Sequence, residues 1–137
     1  MKNTVKHSIR FFLALCILLV ASQTVYGTAA KVDILFMNHG PMRPTVAKIK
    51  TLLHGYGNTV QAGWYDVDQQ SGQDFMRNNK INGHIPMLIR IDGQSEFTID
   101  GRAVSFQGFP TGASPFKRVE GNWSPEDLKI LLDQKTK

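Results

Sequence analysis

Cysteine is nearly absent from this sequence, and the one cysteine lies in a segment that we do not expect in the mature protein. Cys16 stands inside an apolar block, residues 11–21, that follows three basic residues. A basic start, a short apolar block and then small and polar residues are typical of a secretory signal peptide. The sequence therefore predicts a signal peptide over residues 1–27 and a secreted or periplasmic protein, with cleavage after Gly27 or after Ala30.

Removal of this segment would leave an exported chain without any thiol. Disulfide bonds form in oxidising compartments, and thiol–disulfide exchange requires a thiolate that attacks sulfur. A chain without cysteine can do neither. The sequence thus excludes thiol–disulfide oxidoreductase activity for the mature protein, and it indicates no catalytic residues of another kind.

Long apolar runs and charge of one sign are also scarce. The apolar block has 11 residues, whereas a helix that spans a bilayer needs about 20, so we expect no stable membrane anchor after cleavage. The formal net charge is +5, and subtracting the three basic residues of the leader from 16 Lys and Arg leaves 13, against 11 Asp and Glu. Since no basic run accompanies this small excess, nucleic acid is not an expected partner.

The remaining chain, residues 28–137, is long enough for one compact domain with a single core. Its pattern alternates between strand-like apolar runs and helix-like spacing of apolar residues. The order is strand, helix, strand, helix, strand, strand, helix, which predicts an α/β fold with a mixed sheet of about four to six strands and flanking helices. The predicted strands cover residues 32–37, 60–67, 87–91, 97–99 and 103–106.

The clearest local signal marks the start of the last helix. Ser124 can cap the helix, Pro125 suits its first position, and two acidic residues follow in the first turn.

The first helix is expected to begin at Pro44, with Arg43 extended because a residue before proline avoids helical angles.

Three stretches of the sequence resemble the thioredoxin-like superfamily. Val32-Asp33-Ile34 is similar to the first core strand of that family, whose buried Asp stands six residues before the first motif cysteine, as Asp33 stands six before His39. The stretch 39–42 then reads His-Gly-Pro-Met, where the family has Cys-Gly-Pro-Cys. The stretch 81–93, INGHIPMLIRIDG, is similar to the Ile-Pro pair, strand and turn of the family.

The resemblance implies a three-layer thioredoxin-like fold in which Ile85–Pro86 is a cis peptide bond that faces the loop 39–42. Residues 94–121 are longer than a plain thioredoxin hairpin, so an inserted hairpin arm is expected there. The implied function is that of a binding or accessory domain for an envelope protein or peptide, because the scaffold presents a groove in which an extended peptide can pair with the backbone.

The candidate binding residues fall into two groups. Those of the groove lie on the loop and beside the proline, and they are His39, Gly40, Pro41, Met42, His84, Ile85 and Pro86. Those of the arm are aromatic or basic, and they are Phe106, Phe109, Phe116, Lys117 and Arg118. Aromatic residues exposed together on the arm would form a patch for a partner.

A soft-metal site is the alternative. His39, Met42, His84 and Met87 offer imidazole and thioether ligands, which suit Cu(I), and the expected fold brings them towards one end of the sheet. The competing interpretation is that Met87 belongs to the core and that the histidines are solvated. We expect no cofactor unless copper binds.

Overall fold

The computed structural model describes residues 28–114 and 116–137 and shows a mixed α/β fold. The predicted signal peptide, residues 1–27, lies outside the described part. The strands are β1 (Ala30–Phe36), β2 (Val60–Asp66), β3 (Met87–Ile91), β4 (Glu96–Ile99) and β5 (Arg102–Ser105). The helices are α1 (Arg43–His54), α2 (Gln70–Asn78) and α3 (Pro125–Lys135), and two 3₁₀ turns cover Gly57–Thr59 and Lys117–Val119.

The central sheet has the order β2-β1-β3, with β1 parallel to β2 and antiparallel to β3. It has three strands, and the expected four to six was too many. The hairpin β4–β5 forms its own antiparallel sheet, and it follows a turn at Asp92 and Gly93, which both have positive φ. Beyond the turn, an isolated bridge joins Leu88 of β3 to Gln107, just past β5.

Strand alternation divides the core between the two faces of the sheet. On one face, Ile34 and Ile89 pack against α1 and α3, with Ile49 and Leu128 among their buried partners. On the other face, a smaller cluster of Leu35, Leu88 and Phe75 lies beneath α2. The sheet is therefore covered by helices on both sides.

The two helix starts had different outcomes. Ser124 accepts a hydrogen bond from the Asp127 N–H, and the Asp127 carboxylate accepts one from the Ser124 N–H, so the capping predicted for α3 is confirmed. The expectation of an extended Arg43 was wrong, because α1 already includes it. Residues 39–43 form a turn in which the His39 carbonyl accepts the Arg43 N–H at 3.1 Å. This hydrogen bond holds Arg43 in helical geometry.

The expected cis bond at Ile85–Pro86 was also wrong, since the described part of the chain contains no cis peptide bond. A bond before proline prefers the trans form by about 0.5–1 kcal/mol unless its surroundings select the other. Here the trans form lets the Pro86 carbonyl accept the Met37 N–H at 3.0 Å, which continues the pairing of β1 with β3.

Over residues 28–114 and 116–137, the helices are too short or too polar to cross a membrane.

Candidate binding groove at the end of the sheet

The first wall of the candidate site is the loop that follows β1. The Met42 N–H donates to the His39 carbonyl at 3.0 Å, which folds residues 39–42 into a tight turn before α1. Met42 is only 1% exposed and belongs to the main core, whereas His39, Gly40 and Pro41 are exposed. The buried thioether thus anchors the turn, and the rest of the loop faces solvent.

The second wall is the segment just before β3. Because β1 and β3 run antiparallel with Phe36 opposite Met87, the residues that precede β3 lie beside those that follow β1. His84 is exposed and Pro86 is half-buried. Ile85 packs instead against the cluster beneath α2, on the other side of the sheet.

The third wall is the arm, whose base is closed by backbone hydrogen bonds. The Phe109 N–H donates to the Val119 carbonyl at 2.9 Å, and the Gly121 N–H donates to the Phe109 carbonyl at 2.7 Å. Gly108 has a φ of +77°, and a Cβ there would lie 2.5 Å from the Val119 oxygen. Glycine therefore permits the close approach of the backbone at residue 108 to the backbone at residue 119. These contacts hold the arm over the end of the sheet.

The aromatic residues of the arm divide into core and surface. Phe116 is 66% exposed, while Phe109 is buried. Phe106, which we expected as a contact on the arm, is fully buried and does not belong to the surface. Its ring packs against Phe97 and Trp123, and its backbone carbonyl accepts the Ile89 N–H at 2.9 Å.

Together the three walls enclose one cavity of about 370 Å³, which we call the groove. Its lining joins the loop, the segment before β3 and the arm, and it consists of Met37, His39, Pro41, Met42, His84, Pro86, Phe109, Phe116, Arg118 and Val119. Eight of these ten residues were predicted as site residues.

Five predicted residues lie outside the lining: Gly40, Ile85, Met87, Phe106 and Lys117. Met87 is fully buried in β3 and packs with the main core, which agrees with the structural interpretation of this residue. Lys117 pairs with Glu120 at 3.2 Å. Met37 and Val119 were not among the predicted site residues. The position of Met37 directly after β1, next to the loop, could have suggested it, but no local pattern marks Val119.

The charged groups of the groove are basic. The His39 Nε2 lies 3.6 Å from the Asp68 Oδ2, and both side chains are more than half exposed. His84 and Arg118 form no side-chain hydrogen bond or ion pair with the described residues. The neighbouring Glu120 is engaged elsewhere, since hydrogen bonds from Lys117 and from the backbone of Gly112 lower the pKa of its carboxyl.

Metal ligands are only partly brought together. His39, Met42 and His84 line the same groove, but Met87 does not. Across residues 28–114 and 116–137, no three His, Cys, Asp or Glu side chains are grouped as a metal ion requires. The lining of the groove offers a metal imidazole and thioether ligands.

Asp33 is a buried carboxylate outside the groove. Its Oδ1 lies 3.4 Å from the Tyr65 hydroxyl, which donates to it, and its Oδ2 lies 3.3 Å from the Lys31 Nζ. Both oxygens therefore have partners, as expected for a polar group retained in a strand.

A comparison with protein-family models and one with curated proteins each find no match to this chain.

Proposed function

We propose that this protein is an exported, thioredoxin-like domain without thiol chemistry, and that it binds an extended segment of an envelope protein or peptide in the groove. The observation that carries the proposal is the convergence of the loop, the segment before β3 and the arm on one cavity. Such a cavity, apolar with a few polar groups at its edge, is the usual form of a binding site.

The topology supports the thioredoxin-like part of the proposal. A parallel β1–α1–β2 unit is followed by an antiparallel β3, and helices cover both faces of the sheet. The loop 39–42 stands where the resemblance puts the redox motif, at the start of α1 and beside the proline that precedes β3. With histidine and methionine in place of both cysteines, such a scaffold retains the recognition surface and loses the reaction.

The backbone beside the groove supports binding of a peptide in extended form. The N–H groups of Gly83, His84 and Ile85 donate to no backbone acceptor in the described part of the chain. An extended peptide that lies along this segment would pair with whichever of these N–H groups face it, as in strand addition. Side chains of the peptide would then enter the apolar cavity between Phe109 and Phe116.

Selection of binders from a displayed library of random peptides tests this function, followed by affinity measurement on the purified protein. We expect Phe116→Ala to weaken the binding of the selected peptides by about ten- to a hundredfold, because the cost of losing a large apolar contact is about 1.5–3 kcal/mol. The melting temperature should not change, since this side chain is exposed. Met76→Ala, on the opposite face of the sheet, is the control and should leave binding unchanged. The proposal would be contradicted if Phe116→Ala left the affinity of the selected peptides unchanged, or if the library yielded no binder.

A Cu(I) site at the same place is a second proposal. It is supported by the presence of the His39 and His84 imidazoles and the Met42 thioether in the lining of one cavity. The burial of Met42 limits this site, because its sulfur also fills the core and would have to turn towards the metal.

A further inference from the structure

The groove combines an apolar lining with basic groups. Phenylalanine, proline, methionine and valine side chains make up most of it, and the ionisable groups of its described lining are His39, His84 and Arg118. No carboxylate belongs to that described lining. Asp68 lies against His39 from outside the lining, and the guanidinium of Arg118 gives the lining a positive charge.

Elsewhere in the described chain, several cations are matched by carboxylates. Arg102 pairs with Asp127, Lys129 with Asp133, and Lys135 with Asp92. The Arg118 guanidinium has no such partner among the described residues, although it is exposed and lines a cavity. A guanidinium presents its N–H donors in a planar fork that matches a carboxylate in two parallel hydrogen bonds.

We infer that the groove selects segments in which a bulky apolar side chain is flanked by an aspartate or glutamate, with Arg118 as the residue that recognises the carboxylate. This inference rests on the proposed peptide-binding function and names the class of partner. The apolar side chain occupies the cavity beside Phe116, and the carboxylate meets Arg118 at its edge. His84 adds a hydrogen-bond donor on the opposite wall.

Three peptides separate this inference from the function on which it rests. They share one central phenylalanine, are acetylated at the N-terminus and amidated at the C-terminus, and differ only in flanking residues that are acidic, amide or lysine. The blocked ends leave side-chain carboxylates as the one acidic group. We expect the acidic peptide to bind about tenfold more tightly than the amide peptide at low salt, and the lysine peptide to bind most weakly.

Arg118→Gln should remove this preference while leaving the melting temperature unchanged, because Arg118 forms no internal ion pair in the described chain. Arg77→Gln is the matched control, since it removes the same group from α2 on the opposite face of the sheet. Its effect on the acidic peptide should stay within about twofold.

The outcomes are distinct. Equal binding of the acidic and amide peptides, tightest binding of the lysine peptide, or a preference that survives in Arg118→Gln would overturn the assignment of an acidic partner. The groove itself would remain supported if Phe116→Ala still weakened all three peptides. If none of the three binds and the random library also yields nothing, the peptide-binding function fails together with this inference.

Discussion

Replacement of Asp127 by asparagine tests how the last helix is fixed to the hairpin. The Asp127 Oδ2 accepts hydrogen bonds from the Ser124 N–H at 2.8 Å and the Ser124 hydroxyl at 2.9 Å, and its Oδ1 accepts one from the Arg102 Nη2 at 2.5 Å. Its side chain is only 10% exposed. Asparagine has the same shape as aspartate but only one acceptor oxygen. Its amide N–H groups would therefore face either the Arg102 donor or the Ser124 donors, and those hydrogen bonds would be lost.

We expect Asp127→Asn to lower the free energy of unfolding by about 2 kcal/mol at pH 7. A hydrogen bond to a charged group contributes about 1.5–3 kcal/mol, and loss of a helix cap typically costs about 1 kcal/mol. For a domain of this size the melting temperature would fall by roughly 8 °C. Urea unfolding followed by tryptophan fluorescence measures the change, because Trp123 is fully buried next to this helix.

The pH dependence supplies a second readout. Burial alone would raise the pKa of the Asp127 carboxyl, but hydrogen bonds from Arg102 and Ser124 outweigh it and hold this pKa below its usual value. The folded state therefore binds fewer protons than the unfolded state below pH about 4, the ordinary pKa of aspartate. Stability contributed by the carboxylate is present above that pH and is lost as the pH falls through the folded pKa.

The difference between the two proteins should consequently shrink below pH about 4. Asp92 and Asp133 also have lowered pKa values, owing chiefly to hydrogen bonds from Lys135 and Lys129, but they are common to both proteins and cancel in the difference. Glu126→Gln, in the same first turn but exposed, is the control and should cost less than about 0.5 kcal/mol. A difference below about 0.5 kcal/mol at pH 7 for Asp127→Asn, or one that stays constant down to pH 3, would refute the reasoning.

Two further changes test the arm and the metal alternative. A Cβ on residue 121 would lie 2.1 Å from the Gln107 oxygen, so Gly121→Ala should open the base of the arm and lower the melting temperature. Gly40→Ala is the control. A Cβ on residue 40 would have no atom within 4 Å, so this change should alter the free energy of unfolding by less than about 0.5 kcal/mol. Equal melting of the two variants by calorimetry would contradict this account. Titration of the protein with Cu(I) against a competing chelator should give stoichiometric binding that His39→Ala and Met42→Leu each weaken. Absence of binding, or binding that neither change affects, would remove copper from consideration.

Features that depend on neighbouring residues were predictable from the sequence. The start of α3 follows from Ser124 and Asp127, three positions apart, because the capping bonds close within a single turn. The hairpin β4–β5 follows from Asp100-Gly101, since both residues take the positive φ that a tight turn between strands requires. In each case the physical cause lies within a few residues of its effect.

The path of residues 109–121 within the arm could not be predicted in the same way. Its position depends on bonds between Phe109 and both Val119 and Gly121, about a dozen residues away, and neither a helical nor an alternating pattern marks those positions. The burial of Phe106, in contrast, was predictable from the local sequence. Phe106 follows Val104 in the pattern of alternating side chains. It stands two residues after Val104, so both side chains point to the same side of an extended chain and both are buried.

The geometry of the loop 39–42 does not depend on the chemistry of its side chains. Its turn is held by a backbone bond from Met42 to His39, which does not depend on what the two side chains are. Met42 also fills the core, so this position contributes packing that a smaller side chain would not supply.

The same anchoring bears on the affinity of the groove. Each wall is fixed by buried contacts behind it, namely Met42 for the loop, the Pro86–Met37 bond for the segment before β3, and Phe109 for the arm. A rigid groove avoids much of the cost of ordering that flexible loops pay on binding. A cavity of about 370 Å³ has room for only the side chains of a short segment. The physical expectation is therefore a short linear partner, with affinity concentrated in the contacts at Phe116 and Arg118.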